Sequence, residues 1–261
     1  MKKFLALLTL MILLSLNTTN VFAENSFLDT SNIENGIIGV TYQGETGIRY
    51  KVIISKGSEK YYYDYLGPET AVYPLQLGNG KYEIFLLKNL SGTKYTVVNS
   101  ETVHINISNE NVVYLQSIQN IHFKPDMRVI LKAFELSEGL DNNKDKMEAI
   151  YQYIFSGISY DYKKTLTWDK PYIPKIEDID TTEKGICYDY ASLFAAMLRT
   201  QGIPAKLVKG YSDNIDGYHA WNEVYIDGNW VSMDICYDVT TNSVEEEMIK
   251  DNSQYHSERY Y

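Results

Sequence analysis

Three residues able to carry nucleophilic chemistry follow one another in a single stretch of the chain: Cys187, His219 and Asp234. Cys187 stands in "GICYDYASLFAAMLRTQGIPA", residues 185–205, just behind a glycine and at the head of an apolar helical pattern. Ala191, Phe194 and Leu198 follow at helical spacing, Gly202 supplies a left-handed stop, and Pro204 prevents continuation. A cysteine placed there meets the partial positive charge of a helix start, which favours the thiolate. An imidazole beside it acts as base and then acid, and a carboxylate behind the imidazole fixes its tautomer. The expected chemistry is nucleophilic attack by the thiolate on an electrophilic centre, with an N–H at the helix start able to meet a developing negative charge.

The elements that must bring the other two groups together come directly after that helix. "AKLVKGY" reads as a strand, and "YHAWNEVYI", an Asp227-Gly228 turn and "NWVSMDICYD" read as a hairpin. A two-residue loop pairs Ile226 with Asn229, so that Trp221 faces Asp234 and His219 faces Cys236. His219 and Asp234 then share one face, diagonal to each other and within side-chain reach, whereas a slip of one residue would separate them. Taken singly, each residue has a commoner role: a small buried hydrophobe for the cysteine, a satisfied polar group for the histidine, a turn or surface residue for the aspartate. It is the ordered set in one continuous unit that points to catalysis. Trp221 and Trp168 are candidates for a substrate-binding wall that holds water away from a thioester, although an aromatic in a strand or long loop is more often simply packed.

The rest of the chain divides by its hydrophobic period. From about residue 36 to 108 the period is two, in seven segments such as "IRYKVIISKG", "EKYYYDYLG" and "KYEIFLLKN", with Gly78-Asn79-Gly80 as the clearest hairpin turn. This predicts an all-β sandwich of immunoglobulin or fibronectin type over residues 24–117, and the 24 tyrosines of the chain read as strand residues of a β-rich protein. Beyond residue 118 helices are expected at 126–138 and 144–155, the second with Met147, Ile150, Tyr151 and Ile154 on one buried stripe. A long loop over 160–183 then leads to the cysteine helix.

The first residues run from Lys2 and Lys3 through an apolar stretch too short to span a bilayer to Val21-Phe22-Ala23, a secretory signal pattern over residues 1–23. The protein is expected outside the cytoplasm, secreted or at the cell surface, with no membrane partner once the signal is cut. A formal charge of -10 leaves no electrostatic footprint for nucleic acid or anionic lipid.

"GICYDYASLFAAMLRTQGIPAKLVKGY" followed by "HAWNEVYIDGNWVSMD" resembles the core of the transglutaminase-like superfamily, in which Gly-x-Cys opens an alanine-rich helix ending in Gly-Ile-Pro, followed by His-x-Trp and Trp-x-x-x-Asp. "DKMEAIYQYIFSGISYD" is similar to the helix preceding that core, and "PLQLGNGKY" to an N-terminal region found with it in secreted bacterial proteins. The resemblance implies an α+β fold, a papain-like or transglutaminase-like core in which the helix carrying Cys187 packs on an antiparallel sheet, over residues 118–261. It also implies Cys187 as nucleophile, His219 as acid and base, and Asp234 as the orienting group. Where the family commonly has Asp-Pro-Thr, this chain has Asp234-Ile235-Cys236, which sets a second thiol near the first; the free-thiol state is expected over a bridge. "DNNKDKMEAIYQ" lacks the turn glycine and the bidentate glutamate of a calcium loop, so Asp141 to Asn143 reads as a helix-capping turn. No cofactor, no metal and no calcium requirement are expected. Transglutaminase-type acyl transfer, with a protein or peptide as partner, is the preferred reading; a thiol peptidase or amidase acting on proteins or wall peptides, and a surface binding module with an idle triad, are the alternatives.

Overall fold

The computed structural model describes residues 26–67, 69–167, 172–242 and 248–261; the expected signal over 1–23 and Trp168 lie outside them. Alternation in the first part produces strands β1 (Leu28–Asp29), β2 (Ile37–Val40), β3 (Tyr50–Lys56), β4 (Glu59–Tyr65), β5 (Ala71–Pro74), β6 (Gly80–Ser91) and β7 (Lys94–Ile105). They form a three-stranded sheet, β1-β2-β5, and a four-stranded sheet, β4-β3-β6-β7, whose inner faces share one core containing Ile38, Val52, Ile54, Tyr73, Ile84 and Leu86. In β4 Tyr61, Tyr63 and Tyr65 are buried while Tyr62 between them is 57% exposed, the period of two written in a single residue type.

Two details differ from the sequence reading. The last two expected segments are one strand, because the β6–β7 ladder runs from Ser91↔Lys94 to Gly80↔Ile105. Gly78-Asn79-Gly80 does not close a hairpin. β5 pairs with β2, whereas β6 pairs with β3 and β7, so the turn carries the chain from one sheet to the other. Its two glycines have φ of +76° and +129°, and Asn79 both accepts from the Ile107 N–H and donates to its carbonyl, which anchors the crossing.

The second part runs α1 (Arg128–Ser137), α2 (Asn143–Gly157), β8 (Ser159–Tyr160), α3 (Tyr162–Thr167), α4 (Ile176–Thr182), β9 (Lys184–Gly185), α5 (Cys187–Thr200), β10 (Ala205–Ser212), β11 (Ile215–Ile226), β12 (Asn229–Met233), α6 (Ile235–Thr241), β13 (Ile249–Lys250) and β14 (Tyr255–Tyr260). The stripe of Met147, Ile150, Tyr151 and Ile154 on α2 is buried, and Asn142 caps that helix by accepting the Asp145 N–H at 2.8 Å. The expected long loop over 160–183 instead holds α3 and α4, whose short polar sequences carry little periodicity.

Strands β13-β12-β11-β10-β14 make a five-stranded antiparallel sheet, and α5 lies on β10 and β11 with α1, α2, α4 and α6 around it. Every residue of α5 from Tyr188 to Arg199 is buried, so the helix is enclosed on all sides. Its polar members are paired: Ser192 donates to the Asn120 carbonyl, and Arg199 to the carbonyls of Gln116, Ala205 and Tyr261. Asn222 of β11 donates to the carbonyls of Ala191 and Lys206, tying the sheet to the helix.

Among the described residues no strand pairing joins the sheets of the first part to that of the second. Contact between them is made by side chains and one backbone bond: Tyr61 meets the rings of Tyr260 and Tyr261 at 6.2 and 5.7 Å, the Gln119 side chain donates to the Asp64 carbonyl at 2.7 Å, and the Gln119 N–H donates to the Val72 carbonyl at 2.9 Å.

Candidate active site

The position of Cys187 is built from the residues before it. β8 and β9 form a short parallel pair, Tyr160 opposite Gly185, and the Asp161 N–H donates to the Gly185 carbonyl at 2.9 Å. The chain then turns into α5, and Asp189 folds back to accept the Ile186 N–H at 2.9 Å. A Cβ at position 185 would stand 2.8 Å from the Asp189 Cβ, which is why a glycine precedes the cysteine by two. Asp189 is fully buried, and its charge is met by Lys164 Nζ at 2.6 Å and the Tyr172 hydroxyl at 2.5 Å. Cys187, half-buried, is thereby fixed as the first residue of the helix, where its N–H has no carbonyl four residues back to bond.

Opposite it, β11 carries His219, which faces Gly210 of β10 in the ladder. The β11–β12 ladder has the expected register, Ile226 opposite Asn229, and ends at Asn222↔Met233. Asp234 leaves the strand and caps α6: its Oδ1 accepts the Tyr237 N–H at 3.0 Å. Its Oδ2 lies 2.8 Å from His219 Nε2 and accepts the Tyr255 hydroxyl at 3.2 Å. Because a carboxylate only accepts, Nε2 carries the hydrogen, and Nδ1 is the nitrogen left for the Cys187 thiol. Burial alone would favour neutral imidazole, but hydrogen bonds to Asp234 and to Cys187, with the charge of each, outweigh it and push His219 up to about 10.

The expected contact of His219 with Cys236 is not formed. With the ladder over at Met233, Cys236 falls on α6 and is 4% exposed in the helical core, where burial and then the charges of Cys187 and Asp234 push its thiol up. Both cysteines are free. Trp221 is likewise not open to a substrate. It is 1% exposed, its ring parallel to His219 at 6.3 Å and against Tyr255 at 5.1 Å, so it backs the imidazole rather than walling a channel.

Asp189 and Tyr255 are the groups that sequence reasoning missed. Asp189 was legible as the second half of a capping box. Tyr255 reaches Asp234 only through the pairing of β14 with β10, for which no local pattern exists.

Residues 132–235 match the model of the transglutaminase-like superfamily. The kyphoscoliosis peptidase of Mus musculus is 32% identical over 111 residues, a match covering 38% of this chain and 16% of the peptidase. YebA of Bacillus subtilis (strain 168) is 29% identical over 127 residues, covering 41% of this chain and 17% of its own. The chain therefore spans a small part of the length of these relatives. Among solved structures, a candidate cysteine protease from Cytophaga hutchinsonii aligns with 85% of this chain and 80% of its own at 17% identity, with a TM-score of 0.44. The similarity to the transglutaminase-like superfamily is thus carried by residues 132–235, the segment bearing the cysteine helix and the histidine hairpin.

Proposed function

We propose that the protein is a thiol acyltransferase of transglutaminase type, with Cys187 as nucleophile, His219 as acid and base, and Asp234 as the orienting carboxylate. One observation carries this reading: the buried bond of 2.8 Å between His219 Nε2 and Asp234, which leaves Nδ1 to a thiol at the first residue of a helix. The Cys187 sulfur attacks the carbonyl carbon of a glutamine carboxamide, and the oxyanion is met by the Cys187 N–H. Collapse breaks the C–N bond as the His219 imidazolium gives its proton to the leaving nitrogen, releasing ammonia and leaving a thioester. A primary amine then attacks the thioester, His219 takes the amine's proton, the C–S bond breaks, and an isopeptide departs with the thiolate restored. Water in place of the amine yields glutamate. The signal pattern over 1–23 supports an extracytoplasmic site of action on protein or wall-peptide substrates.

A peptidase acting through the same thioester is the second reading, favoured by the match to proteins named as peptidases. Mass spectrometry of a glutamine-containing peptide, incubated with the protein with and without a primary amine, separates them. Acyl transfer adds the amine with loss of ammonia; a peptidase cuts the chain; a peptide unchanged in both incubations refutes the proposal and favours a binding module.

A further inference from the structure

β10 places its side chains alternately on the two faces of the sheet. Ala205 and Leu207 lie in the core around α5, and the next position on that face is Lys209. A lysine there breaks the apolar pattern. Its ammonium lies 3.4 Å from the centre of the Tyr188 ring, on the residue next to Cys187, and 5.5 Å from that of Tyr261. In the ladder Lys209 stands opposite Ala220, which adjoins His219. Among the described residues it has no hydrogen-bond or ion-pair partner, in contrast to Lys206 on the same strand, whose ammonium is 2.7 Å from Glu223.

We propose that Lys209 is a positioning residue of the active site, its ammonium serving as a counter-charge for the Cys187 thiolate. The inference rests on the reading of Cys187 as nucleophile, not on which acyl acceptor follows. Burying a cation without a carboxylate is costly unless another anion compensates it. The groups around it are few: Tyr188 from α5, next to Cys187 whose charge acts on it, and Arg259 and Tyr261 from the β14 side. Arg259 is its ladder partner there, with its guanidinium over Tyr61. Burial pushes Lys209 down to about 8, and the charge of Cys187 is the influence that resists this. The ammonium is thus present below about pH 8 and is lost as the pH rises through that value.

The test is the pH profile of Cys187 alkylation by iodoacetamide, followed by peptide mass spectrometry in wild type, Lys209→Met and Lys209→Arg. In Lys209→Met the rise of the profile is expected to move up by about one pH unit, which is about tenfold slower labelling at pH 6, with the wild-type profile largely restored in Lys209→Arg. A purely structural lysine would leave the midpoint in place, and an unchanged midpoint overturns the proposal. Should Lys209→Met fail to fold, wild-type protein labelled with [13C]lysine supplies the same answer. Capping Cys187 with iodoacetamide removes the anion, and the Lys209 ε-carbon resonance, assigned with Lys209→Arg, is expected to titrate about one pH unit lower. No movement there overturns it equally. Neither measurement requires turnover, so failure of the substrate assay and failure of this proposal are separate results.

Discussion

Replacing Asp234 by Asn changes one atom, and the surrounding hydrogen bonds dictate what that atom does. Oδ1 receives the Tyr237 N–H at 3.0 Å as the cap of α6, and Oδ2 receives His219 and Tyr255. An amide must place its NH2 on one side. Turned toward Tyr237 it would set its own donor against the Tyr237 N–H and leave the cap unmade, at a cost of about 1 kcal/mol or more. Turned toward His219 it keeps the cap and presents a donor to Nε2. The imidazole must then accept at Nε2 and carry its hydrogen on Nδ1, which disables the nitrogen meant to take the thiol proton. The loss of a wrong tautomer in the comparable serine triad is about 10⁴-fold in kcat, and a fall of about 10³-fold or more is expected for Asp234→Asn with the fold intact. The assay is incorporation of a fluorescent primary amine into a glutamine-bearing protein, with thermal unfolding as the control for folding. 15N chemical shifts of His219 report the tautomer directly. Retention of more than a tenth of the wild-type rate, or a hydrogen still on Nε2 in the variant, would refute the reasoning.

Two further outcomes follow from the same geometry. His219 is held at about 10 in the folded protein against 6.5 for a free imidazole, so its contribution to stability is complete below about pH 6.5 and lost as the pH rises toward 10. The difference in unfolding free energy between wild type and His219→Gln should shrink over that window in denaturant titrations; a difference that grows would contradict the assignment. Gly185→Ala sets a Cβ 2.8 Å from that of Asp189 and should destabilise the protein by about 1–3 kcal/mol while slowing Cys187 alkylation. Equal denaturation midpoints for the two proteins would show that the start of α5 tolerates a methyl group.

What could be read from the chain, and what could not, divides by the range of the interaction concerned. The start of α5, its stop at Gly202 and the register of Ile226 against Asn229 follow from residues within a few positions of one another, and these are as expected. The alternation through "NWVSMDICYD" suggested a continuous strand, but Asp234 is also a good helix cap, and capping prevails after Met233. Cys236 is displaced from His219 for that reason alone. Gly78-Asn79-Gly80 has the residues of a hairpin and the position of a crossing, since a turn does not encode which strand its flanks will pair with. Trp221 alternates correctly with His219, yet nothing in the alternation says that Tyr255 will cover it.

The position of Tyr255 after the hairpin has a consequence for when the candidate site is complete. β14 enters as an edge strand beside β10, so close at Gly210 that a Cβ there would stand 2.1 Å from the His256 carbonyl oxygen. Only with β14 seated does Asp234 gain its hydroxyl partner and Trp221 its cover behind the imidazole. During vectorial synthesis the cysteine helix and the histidine hairpin emerge first, and the strand that steadies their carboxylate arrives after them. A nascent chain therefore carries all three side chains of the candidate triad before their geometry is settled, and completion of the site waits on the docking of one late strand.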